Sequence, residues 1–400
     1  MATAPSALKA PRRRWRAEWW VALALLATLA GPFLLKPKEA GTAAHYDRRL
    51  VILSPHNERV RQEIGRAFAA DWLARTGETV YLDWRIPGGS SEIALFLKSE
   101  YAGAFRHYWE TVRHQPWTQQ AAIAFADPHT PVDASAAAAR QAFLASPVGV
   151  GIDLLFGGGS YDFQQQAEAG YLVPGDAVAG TGLAAIMTAH PDWASPAVIP
   201  ETLSGERFRD REQRWTGVVL ATFGIVYNRD VLARLGIGGE PEQWTGLGDP
   251  RLLGQVALAD PAKSGSVAKA FELMIQQQMQ QAVARRVAGG AEPIAAEAEG
   301  VREGWLAGLR LIQRLSANAR YFTDSAAKIP LEVARGDAAA GMAIDAYGRA
   351  TQEAVRQPDG RSRVGFVAPL GGTSVSVDPI ALLRGAPDPR LATAFIEFVL

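Results

Sequence analysis

Apolar positions along the chain come in short runs that alternate with longer amphipathic stretches. Val51-Ile52-Leu53 reads as a short strand, and from Asn57 the positions Val60, Ile64, Ala67, Phe68 and Trp72 recur at helical spacing. Thr79 to Trp84 reads as the next strand, followed by Gly88-Gly89-Ser90-Ser91 and a helix with Ile93, Leu95 and Phe96 on its apolar side. Residues 101–145 are helical in character, rich in Ala and aromatics, and broken by Pro116, Pro128 and Pro131. Ile152 to Phe156 is a buried-type strand leading through Gly157-Gly158-Gly159-Ser160 into a helix that ends near Ala169. Val218 to Tyr227 is a longer apolar strand. Val256 to Ala259 is another, and Lys263-Ser264-Gly265-Ser266 opens a helix reaching about Val283. Glu297 to Ala317 predicts a helix with Trp305, Leu309, Ile312 and Leu315 on its core face, and Ala339 to Ile344 predicts a late strand. Repeated strand–turn–helix order predicts an α/β protein with a mainly parallel sheet. The chain has 400 residues. A single core stops growing at roughly 250–300 residues, so two lobes are expected.

The first stretch has a different pattern. Arg12, Arg13, Arg14 and Arg16 precede an uncharged run from Trp19 to Leu35, with Lys36 and Lys38 just beyond it. A basic segment followed by an apolar run is an export signature, and the basic side stays cytoplasmic. The run is near the lower limit of about 17–25 residues for a membrane helix. Thr28-Leu29-Ala30 offers a small-residue cleavage site. The expectation is a cytoplasmic basic segment at 1–18, a signal peptide or retained anchor at 19–35 and a linker at 36–45, with the remainder in the periplasm or on the extracytoplasmic face of the membrane.

Composition narrows the chemistry. Lys+Arg and Asp+Glu are both 41, and zero net charge gives no electrostatic case for a nucleic-acid partner or an anionic membrane surface. There is no cysteine, which excludes disulfides, thiolate metal sites and cysteine nucleophiles. Four predicted strands run into Ser- or Gly-rich turns that open helices. These turns carry Ser54; Gly89, Ser90 and Ser91; Gly158, Gly159 and Ser160; and Ser264, Gly265 and Ser266. In open α/β sheets ligands sit off the carboxyl ends of the strands. Helix starts offer unpaired N–H groups and a positive dipole end. Converging on one cleft, such turns would bind an anionic or oxygen-rich small molecule. Taken singly, each is also an ordinary cap or tight turn.

The stretch DLLFGGGSYDFQQQAEAGYLVP at 153–174 resembles the bacterial ABC-transporter solute-binding proteins, in the branch that includes the ferric-iron-binding proteins. WTGVVLATFGIVYNRDVLARLGI at 215–237, VALADPAKSGSVAKAFE at 256–272, GDAAAGMAIDAYGR at 336–349 and SPHNERVRQEIGRAFAADW at 54–72 agree in order. The resemblance implies a two-lobed periplasmic-binding-protein fold of type II, with a ligand captured between lobes by hinge closure and delivered to an ABC permease. It places lobe one at 46–217 plus 364–400 and lobe two at 218–363, with 218–227 as one crossing strand. It adds Tyr161, Asp345 and Tyr347 to the cleft candidates. In iron-binding members an early His and two adjacent tyrosines ligate the metal. His56 stands at the matching early position, but Tyr347 is preceded by Ala346. An organic phosphate, phosphonate or carboxylate therefore ranks above ferric iron held by His56 and Tyr347. The family pattern also continues beyond the last helix, so the sequence is expected to be a fragment.

Other constellations add little. His107, Glu110 and His114 would share one helical face able to hold a metal. Ser266-Val267-Ala268-Lys269 matches S-x-x-K without its companion elements. Ala262 before Lys263 rules out a Walker A loop. Trp193, Trp215, Trp244 and Tyr171 could stack a ligand, and Asp260-Pro261 would fix the turn before Ser264. No nucleophile elbow is present. An exported hydrolase remains the competing class, and neither catalytic residues nor a cofactor are expected.

Overall fold

The computed structural model describes residues 14–34 and 46–400, apart from 128, 176 and 177. It divides into two units, Met1–Asp47 and Arg48–Leu400. The first holds helix α1 (Arg14–Leu34). Trp19, Trp20, Leu23 and Leu26 on it are exposed. Among the described residues, no helix is long and apolar enough to cross a membrane. Residues 1–13 and the expected linker at 36–45 lie outside the described residues.

The second unit carries the strands β1 (Arg48–Leu53), β2 (Val80–Arg85), β3 (Leu154–Phe156), β4 (Leu172–Val173), β5 (Thr202–Leu203), β6 (Glu206–Arg207), β7 (Thr216–Asn228), β8 (Val256–Ala259), β9 (Ala319–Thr323), β10 (Ala340–Ile344), β11 (Val364–Val367) and β12 (Val375–Leu383). Its helices are α2 (Glu58–Thr76), α3 (Ser90–Thr111), α4 (Gln119–Ala126), α5 (Ala134–Leu144), α6 (Ser160–Glu168), α7 (Gly182–Ala189), α8 (Arg229–Arg234), α9 (Gly265–Ala288), α10 (Pro293–Asn318), α11 (Ile329–Arg335), α12 (Asp345–Ala354) and α13 (Pro389–Val399). The main sheet runs β2-β1-β3-β12-β7-β10-β8-β9, with β4 beside β12 and β11 beside β7. β1 is parallel to β2 and β3, and β8 is parallel to β9 and β10. β7 and β12 run antiparallel to their neighbours.

Alternation of side chains along β1 divides the first lobe's interior into two layers. Val51 and Leu53 pack with Leu97, Tyr101, Phe105 and Phe143 on one face. Leu50 and Ile52 pack with Phe68, Leu391 and Phe395 on the other. The second lobe has one core, built on Ile225, Tyr227, Trp244, Leu258, Met274, Leu311 and Met342. β7 serves both lobes. Its residues from Thr216 to Thr222 pair with β12, and those from Phe223 to Asn228 pair with β10 and β11. Where the partner changes, the Thr222 N–H donates to Asp345 Oδ1 (3.1 Å) and the Phe223 N–H to Thr373 Oγ1 (3.0 Å). Val364 packs in the core that holds Ile225 and Tyr227.

Several expected faces are different. Trp305 and Leu309 are 51% and 44% exposed, while Gly300, Gly304, Gly308, Leu311 and Leu315 are buried. The glycine stripe lets α10 lie directly on α9. A methyl group at Gly300 or Gly308 would approach the Val283 and Ile275 backbones to 2.7 Å, and one at Gly304 would collide with the Met279 backbone. We expect Gly304→Ala to cost about 1–3 kcal/mol by overpacking. A wild-type midpoint in urea unfolding would show that the two helices can separate without loss. Leu95 is likewise exposed, because Ile93 and Leu97 face inward. Trp215, Trp244 and Tyr171 are buried core residues, and Trp193 stacks on His190.

Candidate functional site

The site begins at the carboxyl end of β1. Ser54 is fully buried, and its Oγ lies 2.8 Å from His56 Nδ1 while accepting the His56 N–H. His56 Nε2 lies 3.3 Å from Asp378 Oδ2, and the other oxygen of Asp378 accepts the Gly158 N–H at 3.0 Å. The ladder of β12 shifts register between Asp378 and Pro379. Gly157 has φ +92°, and a Cβ there would sit 2.5 Å from His56 Cε1. Only glycine serves that turn, for backbone conformation and close approach together.

The three remaining turns meet this cluster. α3 starts at Ser90, α6 at Ser160 and α9 at Gly265. Ser90 Oγ accepts the Gly265 N–H at 3.2 Å, joining the first lobe to the second. Asp162 lies beside the same contact, since a Cβ on Gly265 would be 2.6 Å from Ser90 Oγ and 3.0 Å from Asp162 Oδ2. Burial pushes the Asp162 pKa up, against hydrogen bonds from the Ser90 hydroxyl and the Gly159 N–H that pull it down. Asp260 fixes the last turn, with its carbonyl accepting the Lys263 and Ser264 N–H groups. Tyr347, in the first turn of α12, has a hydroxyl pKa raised by burial and by the nearby charge of Asp378.

Two neighbouring cavities result. The smaller, about 40 Å³, is lined by His56, Gly89, Ser90, Gly158, Ser264, Ser266, Ser325, Tyr347 and Asp378, among others. The larger, about 440 Å³, is lined by Ser91, Gly158, Gly159, Ser160, Tyr161, Asp162, Glu206, Gly265, Ser266, Lys269 and Ser376, among others. A single water needs roughly 10–15 Å³, so the first holds only a few waters. The second falls in the roughly 300–1,000 Å³ range of small-molecule sites. Across it Lys269 Nζ meets Glu206 Oε1 at 2.7 Å, and Ser376 Oγ donates to Glu206 Oε2 at 3.0 Å. Burial lowers the Lys269 pKa, but its bonds to Glu206 outweigh that and leave it raised.

The sequence-derived residues thus come together with two exceptions. Ser54 and Asp345 line neither cavity. Ser54 holds the imidazole, and Asp345 accepts backbone N–H groups where β7 changes partners. Asp162, Glu206, Lys269, Ser325, Ser376 and Asp378 also line the cavities, and the turn pattern does not point to them. Asp378 did leave a signal, as a carboxylate interrupting the otherwise strand-like SVSVDPIALL. Ser54, His56 and Asp378 form a hydroxyl–imidazole–carboxylate chain, but Ser54 is 0% exposed and presents no nucleophile to a substrate. Among the described residues no group of three or more His, Asp or Glu could hold a metal. α3 ends at Thr111, and His114 beyond it has φ +52°, so it does not share a helical face with His107 and Glu110.

The sequence profile of the bacterial extracellular solute-binding proteins matches residues 163–400. The chain belongs to this family. A protein of Haemophilus influenzae described only as uncharacterized is 25% identical over 199 residues, 49% of each sequence. The solute-binding chain therefore spans about half the length of the curated relative it matches. Among solved structures, the periplasmic binding protein AfuA from Actinobacillus pleuropneumoniae, with fructose-6-phosphate bound, superposes with a TM-score of 0.54 at 16% identity. The match covers 88% of this chain and 79% of AfuA. Iron-bound HitA from Pseudomonas aeruginosa gives a TM-score of 0.47 at 16% identity, covering 88% and 80%. The AfuA likeness is one of fold, and it confirms the expected two-lobed periplasmic-binding-protein architecture.

Proposed function

We propose that this solute-binding protein is the extracytoplasmic receptor of an ABC importer and captures a small oxygen-rich anion between its lobes. An organic phosphate, phosphonate or carboxylate is the ligand class. The observation that carries this reading is the meeting of helix starts from both lobes: Ser90 and Gly158 from the first, with Ser264 and Ser266 from the second, line one cavity. Amide N–H groups, serine hydroxyls and dipole ends there supply donors to an anion without a net positive charge. The adjoining 440 Å³ takes the rest of the ligand against Lys269, Ser376 and Tyr161. Fructose-6-phosphate, the ligand named for AfuA, belongs to this chemical class. We place the hinge at Thr222–Phe223 of β7 and in the connection between β11 and β12, and assign β11 to lobe two. Closure expels water and strengthens each polar contact, and the ligand favours the closed form only by its differential affinity for it. The permease is the partner that would read the closed surface.

Ferric iron is the second reading. His56, Tyr347 and Asp378 line the same small cavity, which favours it, but both imidazole nitrogens already have partners in Ser54 and Asp378. A thermal-shift panel of phosphate esters, phosphonates, carboxylates, sugars and Fe³⁺ separates the two. A ligand at 100 times its Kd adds about 2.7 kcal/mol. For whichever compound shifts the midpoint most, Ser264→Ala with Ser266→Ala should weaken binding by about 0.5–3 kcal/mol per hydroxyl, with little change in melting without ligand. Unchanged affinity in a titration would remove the α9 turn from the site. No shift with any compound, together with turnover of an ester, would overturn the receptor reading.

A further inference from the structure

A cavity of about 550 Å³ lies away from the cleft and shares no lining residue with either cavity described above. It is formed where β7 passes into α8, beside the end of α12 and the turn before β11. Four arginines line it, Arg229, Arg356, Arg361 and Arg363, against one acidic residue, Asp230. Gln352, Gln357 and Ser362 complete a wall rich in hydrogen-bond donors.

Two of the arginines are held in place. Arg229 donates to the Ser362 carbonyl (2.6 Å), the Val364 carbonyl (3.0 Å) and Glu240 (2.7 Å). Arg356 donates to the Gly360 carbonyl (2.8 Å) and pairs with Glu353 (2.7 Å). The turn between them is pinned by backbone bonds from the Gln357 N–H to the Arg361 carbonyl and from the Gly360 N–H to the Gln357 carbonyl. Arg361 is 86% exposed, with Asp359 only at 3.9 Å, and Arg363 has no ion pair among the described residues. Glu240, Glu353 and Asp359 steady the arginine stems from outside the cavity lining. The Arg229 and Arg356 guanidiniums are largely committed to these partners, so the exposed Arg361 and Arg363 offer the freer N–H donors. Two held guanidiniums and two exposed ones lining one cavity suit the oxygens of a multiply charged anion.

We propose that this cavity is a second site that binds a compound carrying at least two phosphate groups' worth of charge, either a soluble oligophosphate or anionic phospholipid headgroups. The inference does not depend on what the cleft binds. Isothermal titration of the full chain with pyrophosphate at low salt tests it. The expected result is binding that weakens about tenfold or more in Arg361→Gln with Arg363→Gln, survives Ser264→Ala with Ser266→Ala, and declines as salt is raised. Absence of binding, equal affinity in the arginine variant, or loss in the serine variant would overturn it. Co-sedimentation with phosphatidylglycerol vesicles, against phosphatidylcholine vesicles, then separates the sources. Vesicle binding that falls in the same arginine variant assigns headgroups. Pyrophosphate binding without an arginine-dependent vesicle signal assigns a soluble oligophosphate. In both cases the arginine dependence supports the site.

Discussion

Gly89→Ala should lower affinity for the cleft ligand roughly 10²- to 10⁴-fold while leaving the melting temperature without ligand almost unchanged. Gly89 has φ −74° and ψ 179°, an ordinary extended conformation for any residue. Its Cβ would nevertheless collide with the Lys263 carbonyl of the opposite lobe and lie 3.4 Å from that of Asp324. The added methyl therefore has no cost within its own lobe and acts only when the lobes meet. A receptor held apart loses the hydroxyls and amides of the Ser264–Ser266 turn. Two such charge-assisted contacts at ~1.5–3 kcal/mol each, with about 1.4 kcal/mol per tenfold, give that range. Calorimetric titration beside a thermal melt measures both halves. Wild-type affinity in the variant would mean that binding does not require the approach of these two turns.

Asp162→Asn should strengthen binding of an anion. This carboxylate sits against Ser90 and the start of α9, where an anion would draw its donors. A second negative charge about 8 Å away opposes it by about 2 kcal/mol at an effective dielectric near 20, or roughly thirtyfold. The pH response gives an independent check. Burial raises the Asp162 pKa, so between the unfolded and folded values the folded state holds the extra proton. The contribution of this group to stability is therefore greatest at low pH and falls as pH rises through that window. Anion affinity should fall over the same window in the parent protein, and the slope should flatten in Asp162→Asn. A loss of affinity in the variant would show instead that the carboxylate accepts a hydrogen bond from the ligand.

Much of this arrangement was legible in the sequence because strand ends and helix starts are local events. Gly157-Gly158-Gly159-Ser160 and Ser264-Gly265-Ser266 announce a turn and a helix start, and off the carboxyl ends of neighbouring strands such turns converge. What local pattern could not carry was partnership over distance. Asp345 looked like a cleft residue because it follows a strand, yet it satisfies Thr222, more than a hundred positions earlier. Ser54 looked like a ligand donor, yet its hydroxyl holds His56. Asp162, Glu206, Lys269 and Asp378 acquire roles only when two lobes face each other. On α10 apolarity points to Trp305 and Leu309, whereas glycine, with no side chain, allows the closest approach and sets the buried face.

The first lobe draws its interior from both ends of the unit. Leu50 and Ile52 pack against Ile380, Leu382, Leu391 and Phe395, and Arg48 bonds to Asp388 across a separation of 340 residues. Such long loops close slowly, and exposed apolar surface invites aggregation meanwhile. During synthesis the early strands would therefore emerge well before the segments that cover them.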